Sequence, residues 1–113
     1  MGPGPAPPIP AAPLSRDCQK VEVCGAGVEG VNGLFALLQN RTSDGAAMYS
    51  KPDGEHQIYR YGGTWKIAHI EHSDQVWYEQ SHAPPDSHVP PSSKWHATTE
   101  WFTPAPMPLR CTD

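Results

Sequence analysis

A chain of 113 residues is long enough for one domain at most. Its net charge is −4 and its eight basic residues are spread singly, so it lacks the basic cluster that a nucleic-acid partner requires. No apolar run approaches the length of a membrane span, and the N-terminus has neither the basic nor the apolar region of a signal peptide. These features predict a cytoplasmic monomer with no nucleic-acid and no membrane partner.

Residues 1–16 (MGPGPAPPIPAAPLSR) contain six of the fourteen prolines and almost no large apolar side chain. Such a segment cannot bury enough surface to offset the entropy lost on ordering, so we expect a disordered, proline-rich tail. The remainder, residues 17–113, is predicted to form a single β domain. Its heaviest apolar residues are aromatic, and each can bury roughly 150–250 Å² in a small core.

From residue 20 onward, apolar and polar residues alternate in short runs that turn dipeptides separate. Candidate strands are residues 21–24 (VEVC), 34–39 (LFALLQ), 46–50 (AAMYS), 56–61 (HQIYRY), 64–71 (TWKIAHIE) and 76–80 (VWYEQ). The turn signals between the later runs are Asp-Gly at 44–45, Pro-Asp-Gly at 52–54 and Gly-Gly at 62–63. The pattern predicts an all-β fold, a small antiparallel meander of about six short strands that closes into a barrel or a sandwich.

After residue 80 the sequence becomes rich in proline. Residues 82–93 (HAPPDSHVPPSS) show no periodicity and predict an extended loop, whereas residues 94–102 (KWHATTEWF) predict a last strand or edge segment. Residues 103–111 (TPAPMPLRC) carry proline at every second position from 104 to 108. Because proline donates no backbone hydrogen bond, we expect this Pro-rich C-terminal segment to lie over the sheet in polyproline II geometry or at an edge.

The glycines of residues 24–35 (CGAGVEGVNGLF) need a separate interpretation, because Gly25, Gly27 and Gly30 have the G-x-G-x-x-G spacing of dinucleotide-binding proteins. That site requires a helix that opens at the third glycine and crossover helices that build a parallel sheet. Asn32-Gly33 falls in the first turns of this helix, and residues 55–113 show no crossover helix. We therefore predict that the glycines form turns, with a hairpin turn at Asn32-Gly33, and that the protein holds no cofactor.

The three cysteines, Cys18, Cys24 and Cys111, are an odd number without a C-x-x-C pair. In a cytosolic protein this usage favours three reduced thiols. The alternative is a bridge from Cys18 or Cys24 to Cys111, which would tie the two ends of the domain together. Such a bridge matters only in an oxidising compartment.

Aromatic side chains offer the best binding hypothesis. Those left outside the core can form a platform for a glycan ring or a proline-rich peptide. The candidate binding residues are Trp65, Trp77, Tyr78, Trp95 and Trp101. The competing interpretation, that nearly all of them are core residues, depends on their exposure. We predict a non-catalytic recognition or interaction module with an unknown protein or glycan ligand.

The alternative is a small metal-binding or hydrolytic enzyme that uses some of the six histidines. His69, Glu71 and His72 form the densest cluster of possible ligands, and a zinc site would need a further ligand such as His82 or His88. No sequence signature of a catalytic nucleophile surrounds any cysteine or serine. We therefore predict no catalytic residue and, outside this alternative, no bound metal.

The ordered motifs of residues 20–110 resemble those of a known domain. They run V-x-V-x-G-A-G, N-G-x-F, I-Y-x-Y-G-G-x-W-x-I, a W-Y pair, a Pro-Pro pair followed by a tryptophan, and P-A-P-x-P-L. This order resembles an uncharacterised small β domain in predicted proteins of protists, algae and animals, where it is often appended to other domains. The family has no established activity, so the resemblance implies the extent of the domain and its β structure, but no chemistry.

Overall fold

The computed structural model describes residues 18–69, 75–83, 87–106 and 109–112. They form one antiparallel sheet of eight strands, in the order β7-β6-β5-β4-β3-β2-β1-β8. The strands are β1 (Lys20–Val23), β2 (Gly33–Ser43), β3 (Ala46–Ser50), β4 (Gln57–Tyr61), β5 (Thr64–Ala68), β6 (Val76–Gln80), β7 (His96–Ala97) and β8 (Leu109–Cys111). The only helical segments described are two 3-10 turns, Glu29–Val31 and Glu100–Phe102. No helix in these residues is long and apolar enough to cross a membrane.

The all-β prediction is confirmed, and the six predicted strands correspond to β1–β6. The sheet is extended at its two edges by the short strands β7 and β8: β7 lies within residues 94–102, where the sequence predicts a last strand or edge segment, and β8 is an additional strand. It curls into a half-barrel rather than a closed barrel or a sandwich. Strands β1–β7 form a meander, and β8 returns from the far end of the chain to pair with β1.

Two tight hairpins follow from turn residues in the left-handed region of backbone space. Asp44 and Gly45 join β2 to β3 with φ angles of 55° and 75°, and Gly62 and Gly63 join β4 to β5 with φ angles of 62° and 83°. Two consecutive positive φ angles are those of a type I′ turn, whose twist matches that of the flanking strands. The Gly62-Gly63 turn sets the register that places Ile58 opposite Ile67 and Tyr59 opposite Lys66.

The glycine-rich stretch forms a hairpin connection and not a nucleotide-binding turn. Strands β1 and β2 pair antiparallel, with Val23 opposite Gly33, and the only helical turn between them is Glu29–Val31. The predicted two-residue turn at Asn32-Gly33 is wrong, because the connection spans residues 24–32. Instead the Asn32 side chain closes this longer loop: its Oδ1 accepts from the Ala26 N–H at 2.8 Å and its Nδ2 donates to the Ala26 carbonyl at 3.0 Å.

At Gly27 the backbone of the β1–β2 connection closely approaches the backbone of residues 102–104. The Gly27 N–H donates to the Pro104 carbonyl at 2.8 Å, which holds the connection against the C-terminal segment. A Cβ atom at this position would overlap the backbone carbonyls of Phe102 and Thr103. Glycine is needed here because the facing group is backbone, which a side-chain rotation cannot move away.

The core lies on one face of the sheet and is largely aromatic. Trp65, Tyr49, Tyr78 and Phe35 are its largest fully buried side chains, and cross-strand partners such as Ile58 and Ile67 fill the space between them. The buried phenols are hydrogen-bonded, as their polar atoms require. Tyr49 donates to the Cys18 carbonyl at 2.7 Å, while Tyr78 accepts from the Val28 N–H at 2.9 Å and donates to the Phe102 carbonyl at 2.6 Å.

Cys18 and Cys111 form a disulfide, with their Cα atoms 5.7 Å apart and 93 positions separating them in sequence. The expectation of three reduced thiols is therefore wrong for these two residues, and Cys24 alone is a free, half-buried thiol. The pairing of β8 with β1, which places Val21 opposite Cys111, brings the first and last described segments of the chain together. This long-range pairing is not visible in the cysteine spacing.

We expect Cys18→Ser with Cys111→Ser to lower the free energy of unfolding by about 3 kcal/mol, because the bridge closes a long loop in the unfolded chain. Urea unfolding of the oxidised protein and of the double variant measures the difference. The matched control is Cys24→Ser, which removes a thiol outside the bridge and should leave the transition nearly unchanged. An equal loss for Cys24→Ser would contradict the structural role of the bridge.

We expect Gly27→Ala to lower the free energy of unfolding by about 2 kcal/mol, because the added methyl group overpacks against backbone. Gly54→Ala is the comparison: Gly54 has a φ of +73° but open space around its Cα, so alanine there meets conformational strain alone. That strain costs about 1 kcal/mol. A smaller loss for Gly27→Ala than for Gly54→Ala in urea titrations would contradict the close approach.

Candidate functional site

Three of the five predicted binding residues lie in the core. Trp65 and Tyr78 have 0% of their surface exposed and Trp95 has 5%. The Trp95 indole donates to the Pro91 carbonyl at 2.9 Å, and Trp65 lies against Arg60, whose guanidinium carbon is 5.9 Å from its ring centre. Burial raises the pKa of the Tyr78 phenol, and the backbone hydrogen bonds that it makes act in the opposite direction. These side chains contact the core and present no surface to a ligand.

The other two, Trp77 and Trp101, differ in exposure. Trp77 is half-buried and is the extra residue of a β-bulge in β6, since Ile67 pairs with Tyr78 while Ala68 pairs with Val76. Trp101 lies in the 3-10 turn Glu100–Phe102 and has 85% of its surface exposed. The five predicted aromatics therefore do not form one platform, because Trp101 alone is exposed.

A second aromatic surface, separate from Trp101, is formed by tyrosines on the face of the sheet away from the core. Along β4, Ile58 and Arg60 are buried while Tyr59 is half-buried and Tyr61 has 68% of its surface exposed. Successive side chains of a strand point to opposite faces, so the two tyrosines share the face away from the core. The register continues this face across the sheet: Tyr59 lies opposite Lys66, and Lys66 lies opposite Glu79.

A groove of about 640 Å³ lies on this face, within the range of roughly 300–1,000 Å³ that small-molecule sites occupy. We call it the tyrosine groove. It is lined by two tyrosines, two cations, one methionine and two hydroxyl residues: Tyr59, Tyr61, Arg41, Lys66, Met48, Thr42 and Ser43. No carboxylate is among these lining residues.

Strand β2 supplies Arg41 through a large β-bulge. Leu37 pairs with Tyr49 and Thr42 pairs with Ala47, so the four residues between Leu37 and Thr42 face a single residue, Met48, of β3. Asn40 within the bulge has a φ of 61°, a conformation that asparagine tolerates better than most residues. Bulges re-aim side chains and are frequent beside binding sites. Here the bulge brings Arg41 into the lining of the groove.

An ion pair fixes the position of Lys66 in the lining of the groove. Lys66 Nζ lies 2.8 Å from Glu79 Oε2, in a pair whose side chains are 21% and 42% exposed. Burial raises the pKa of the Tyr59 phenol; the nearby Lys66 ammonium lowers it and the Glu79 carboxylate raises it. Tyr59 therefore stays protonated at neutral pH and can donate as well as accept a hydrogen bond.

Arg60 of β4 has its side chain on the core side of the sheet and connects segments on the two sides of the groove. Its guanidinium donates to the Ser87 carbonyl at 2.6 Å and to the Asp44 carbonyl at 2.5 Å. The Asp44 carboxylate in turn accepts from the Gly63 N–H at 2.9 Å. The β2–β3 turn and the β4–β5 turn are thus joined to each other, which limits relative motion of the strands that carry Arg41, Tyr61 and Lys66.

A second cluster, of Asp53, Glu55 and His56, offers three possible metal-ligating atoms within 4.8 Å of one another. Its atoms already bind each other: Asp53 Oδ2 lies 2.9 Å from His56 Nδ1, and Asp53 Oδ1 accepts from the Glu55 N–H at 2.8 Å. Burial is the largest single influence on the pKa of Asp53 and raises it, but the hydrogen bonds from Glu55 and His56 together outweigh it and leave that pKa below its ordinary value.

The surroundings of His56 make this cluster a structural clamp. The imidazole stacks on Trp77 with ring centres 4.8 Å apart, and a Cβ atom at Gly30 would lie 2.9 Å from its Nε2. Lys51 reaches the same loop, donating to the Gly30 and Asn32 carbonyls at 2.7 and 2.9 Å. The β3–β4 turn is therefore fastened to the β1–β2 connection, and the imidazole is held by Asp53 at Nδ1 and by stacking on Trp77.

Of the three residues that the sequence predicts for the alternative metal site, only His69 lies within the described part of the chain. His69 is half-buried just after β5, and its N–H donates to the Gln75 carbonyl at 3.0 Å. Glu71 and His72 lie outside the residues that the structure describes. Of the possible further ligands, His82 and His88 are exposed.

We expect Trp65→Ala to lower the free energy of unfolding by about 4 kcal/mol, because it empties a large volume in the core. Trp101→Ala should change it by less than about 0.5 kcal/mol, since an exposed side chain leaves no cavity. Urea unfolding followed by circular dichroism measures both variants without relying on tryptophan fluorescence. Similar losses for the two variants would contradict the division between core and surface.

Comparison with known proteins adds no function to this geometry. No family model, no curated protein and no solved structure matches the chain. The likeness of this chain to an uncharacterised small β domain therefore stays a resemblance of sequence motifs. The candidate site is accordingly defined by its own lining: two tyrosine rings, Lys66 with its charge paired to Glu79, and Arg41, which has no ion pair within the described part of the chain.

Proposed function

We propose that the protein is a non-catalytic recognition module that binds a glycan in the tyrosine groove. The observation that carries this proposal is the pairing of Tyr59 with the 68% exposed Tyr61 on one strand face, inside a groove lined by polar side chains. Aromatic faces pack against apolar C–H surface, while hydroxyl and charged groups beside them fix orientation through hydrogen bonds. A sugar ring offers both kinds of surface at once.

A glycan suits this lining better than the proline-rich peptide that the sequence also suggested. Grooves for proline-rich segments are lined mainly by aromatic side chains, between which prolines pack. Here Tyr59 and Tyr61 share the groove with hydrogen-bonding groups, among them Lys66 and Thr42. A ligand with many hydroxyls offers such groups both donors and acceptors, whereas the backbone of a proline-rich peptide offers them mainly carbonyl acceptors.

The disulfide is relevant to the cellular compartment in which such a module would function. Disulfides form and persist in oxidising compartments and are rare in the cytosol. The Cys18–Cys111 bridge therefore supports an oxidising location in place of the predicted cytoplasm. That location is also where extended glycans are accessible to a recognition domain.

We expect Tyr61→Ala to weaken glycan binding about five-fold or more, because stacking on an aromatic ring contributes on the order of 1 kcal/mol. The probes are an array of neutral and acidic oligosaccharides, followed by calorimetry on those that bind, with a decaproline peptide alongside. Trp101→Ala is the matched control, since it removes an exposed aromatic ring outside the groove.

Equal binding by wild type and Tyr61→Ala would contradict the groove as the site. Binding that is lost in Trp101→Ala but kept in Tyr61→Ala would assign recognition to the 3-10 turn Glu100–Phe102 instead. Binding of decaproline with no oligosaccharide bound would replace the glycan by a proline-rich peptide.

A further inference from the structure

We propose that the tyrosine groove selects an acidic sugar, a uronic acid unit whose carboxylate binds Arg41. This inference rests on the proposed glycan function and adds the substrate class. Arg41, Lys66 and the tyrosine rings have separate roles in this binding, because the charges of the groove are unequally compensated.

The two cations of the groove differ in whether they are neutralised. Lys66 is bound to Glu79 at 2.8 Å, so its charge is compensated within the protein. Arg41 is exposed and makes no ion pair and no hydrogen bond within the described part of the chain. The lining contains no carboxylate, although the whole protein carries a net charge of −4. The groove thus presents one uncompensated positive charge that a bound anion can match.

The position of Arg41 depends on backbone structure that a plain hairpin would not have. The β-bulge between Leu37 and Thr42 inserts extra residues opposite Met48, and Arg41 is the last of them. An uninterrupted register would place fewer residues before the Asp44-Gly45 turn. The bulge therefore brings a guanidinium to the rim of a groove whose other wall carries Tyr61.

The chemistry of these groups distinguishes a carboxylate from a hydroxyl. A guanidinium presents a planar fork of donors that matches the two oxygens of a carboxylate. Lys66 and the Thr42 hydroxyl line the groove and present a donor and a donor–acceptor group, which ring hydroxyls can satisfy. Tyr61 supplies a face for the C–H surface of the ring. Together these groups can bind the carboxylate, the hydroxyls and the apolar face of one sugar unit.

The test uses matched ligands and matched variants. The ligands are hexasaccharides of galacturonan, alginate and hyaluronan, each compared with its carboxyl-reduced form, in which the acid is an alcohol. The variants are Arg41→Gln and, as control, Arg110→Gln. Arg110 is also exposed, forms a surface pair with Glu22 at 2.8 Å and does not line the groove. Calorimetry measures the dissociation constants, and urea unfolding checks that each variant is folded.

We expect at least one acidic hexasaccharide to bind wild type about ten-fold or more tightly than its reduced form, a preference that is lost in Arg41→Gln and kept in Arg110→Gln. Added salt should weaken the acid preference, because an exposed guanidinium is screened. Equal binding of acidic and reduced forms would overturn the acid selectivity and leave the glycan function standing. A preference that survives in Arg41→Gln would overturn the role of Arg41.

Absence of binding to every oligosaccharide of the array would overturn both proposals. Binding to sulfated oligosaccharides alone would overturn the carboxylate while keeping an anionic glycan. Loss of all binding in Arg41→Gln, neutral forms included, would contradict the separation of roles, since the reduced forms should still contact Tyr61, Lys66 and Thr42.

Discussion

The alternation of side chains along β4 is the constraint on which the rest of this structure depends. Ile58 and Arg60 point into the core, and Tyr59 and Tyr61 point to the opposite face. Since the strand period is two, a shift of register by one residue would exchange the two sets and bury the tyrosines. The Gly62-Gly63 turn prevents that shift by pairing Tyr61 with Thr64. One strand thereby builds both the core and the candidate site.

Arg60 shows how the fold accommodates a charge beneath the groove. A buried guanidinium is costly unless its donors are satisfied. Here they bind the carbonyls of Ser87 and Asp44, and the Asp44 carboxylate lies 3.9 Å from Arg60 Nε. The same aspartate occupies a positive-φ position of the β2–β3 turn and binds the β4–β5 turn through Gly63. A network that satisfies one buried charge therefore also fixes the groove walls relative to each other.

Three further long-range contacts hold segments together at the edges of the core. Gly27 allows the β1–β2 connection to touch the C-terminal segment, where the Tyr78 phenol bridges Val28 and Phe102. The Cys18–Cys111 disulfide joins the first and last described strands at the β1–β8 edge. These contacts are made by loops and by the two ends of the described domain, and they hold these segments against the edges of the sheet.

Local patterns in the sequence by themselves determined β1–β6, the Asp44-Gly45 and Gly62-Gly63 turns, and the two faces of β4, because period-two alternation and positive-φ turn residues act over a few neighbours. The tertiary structure decided everything that joins distant segments. It paired β8 with β1 and so Cys18 with Cys111, set Gly27 against residues 102–104, and buried Trp65, Tyr78 and Trp95. It also formed the bulge that brings Arg41 to Tyr61. No spacing encodes these meetings, because each depends on how the whole sheet curls.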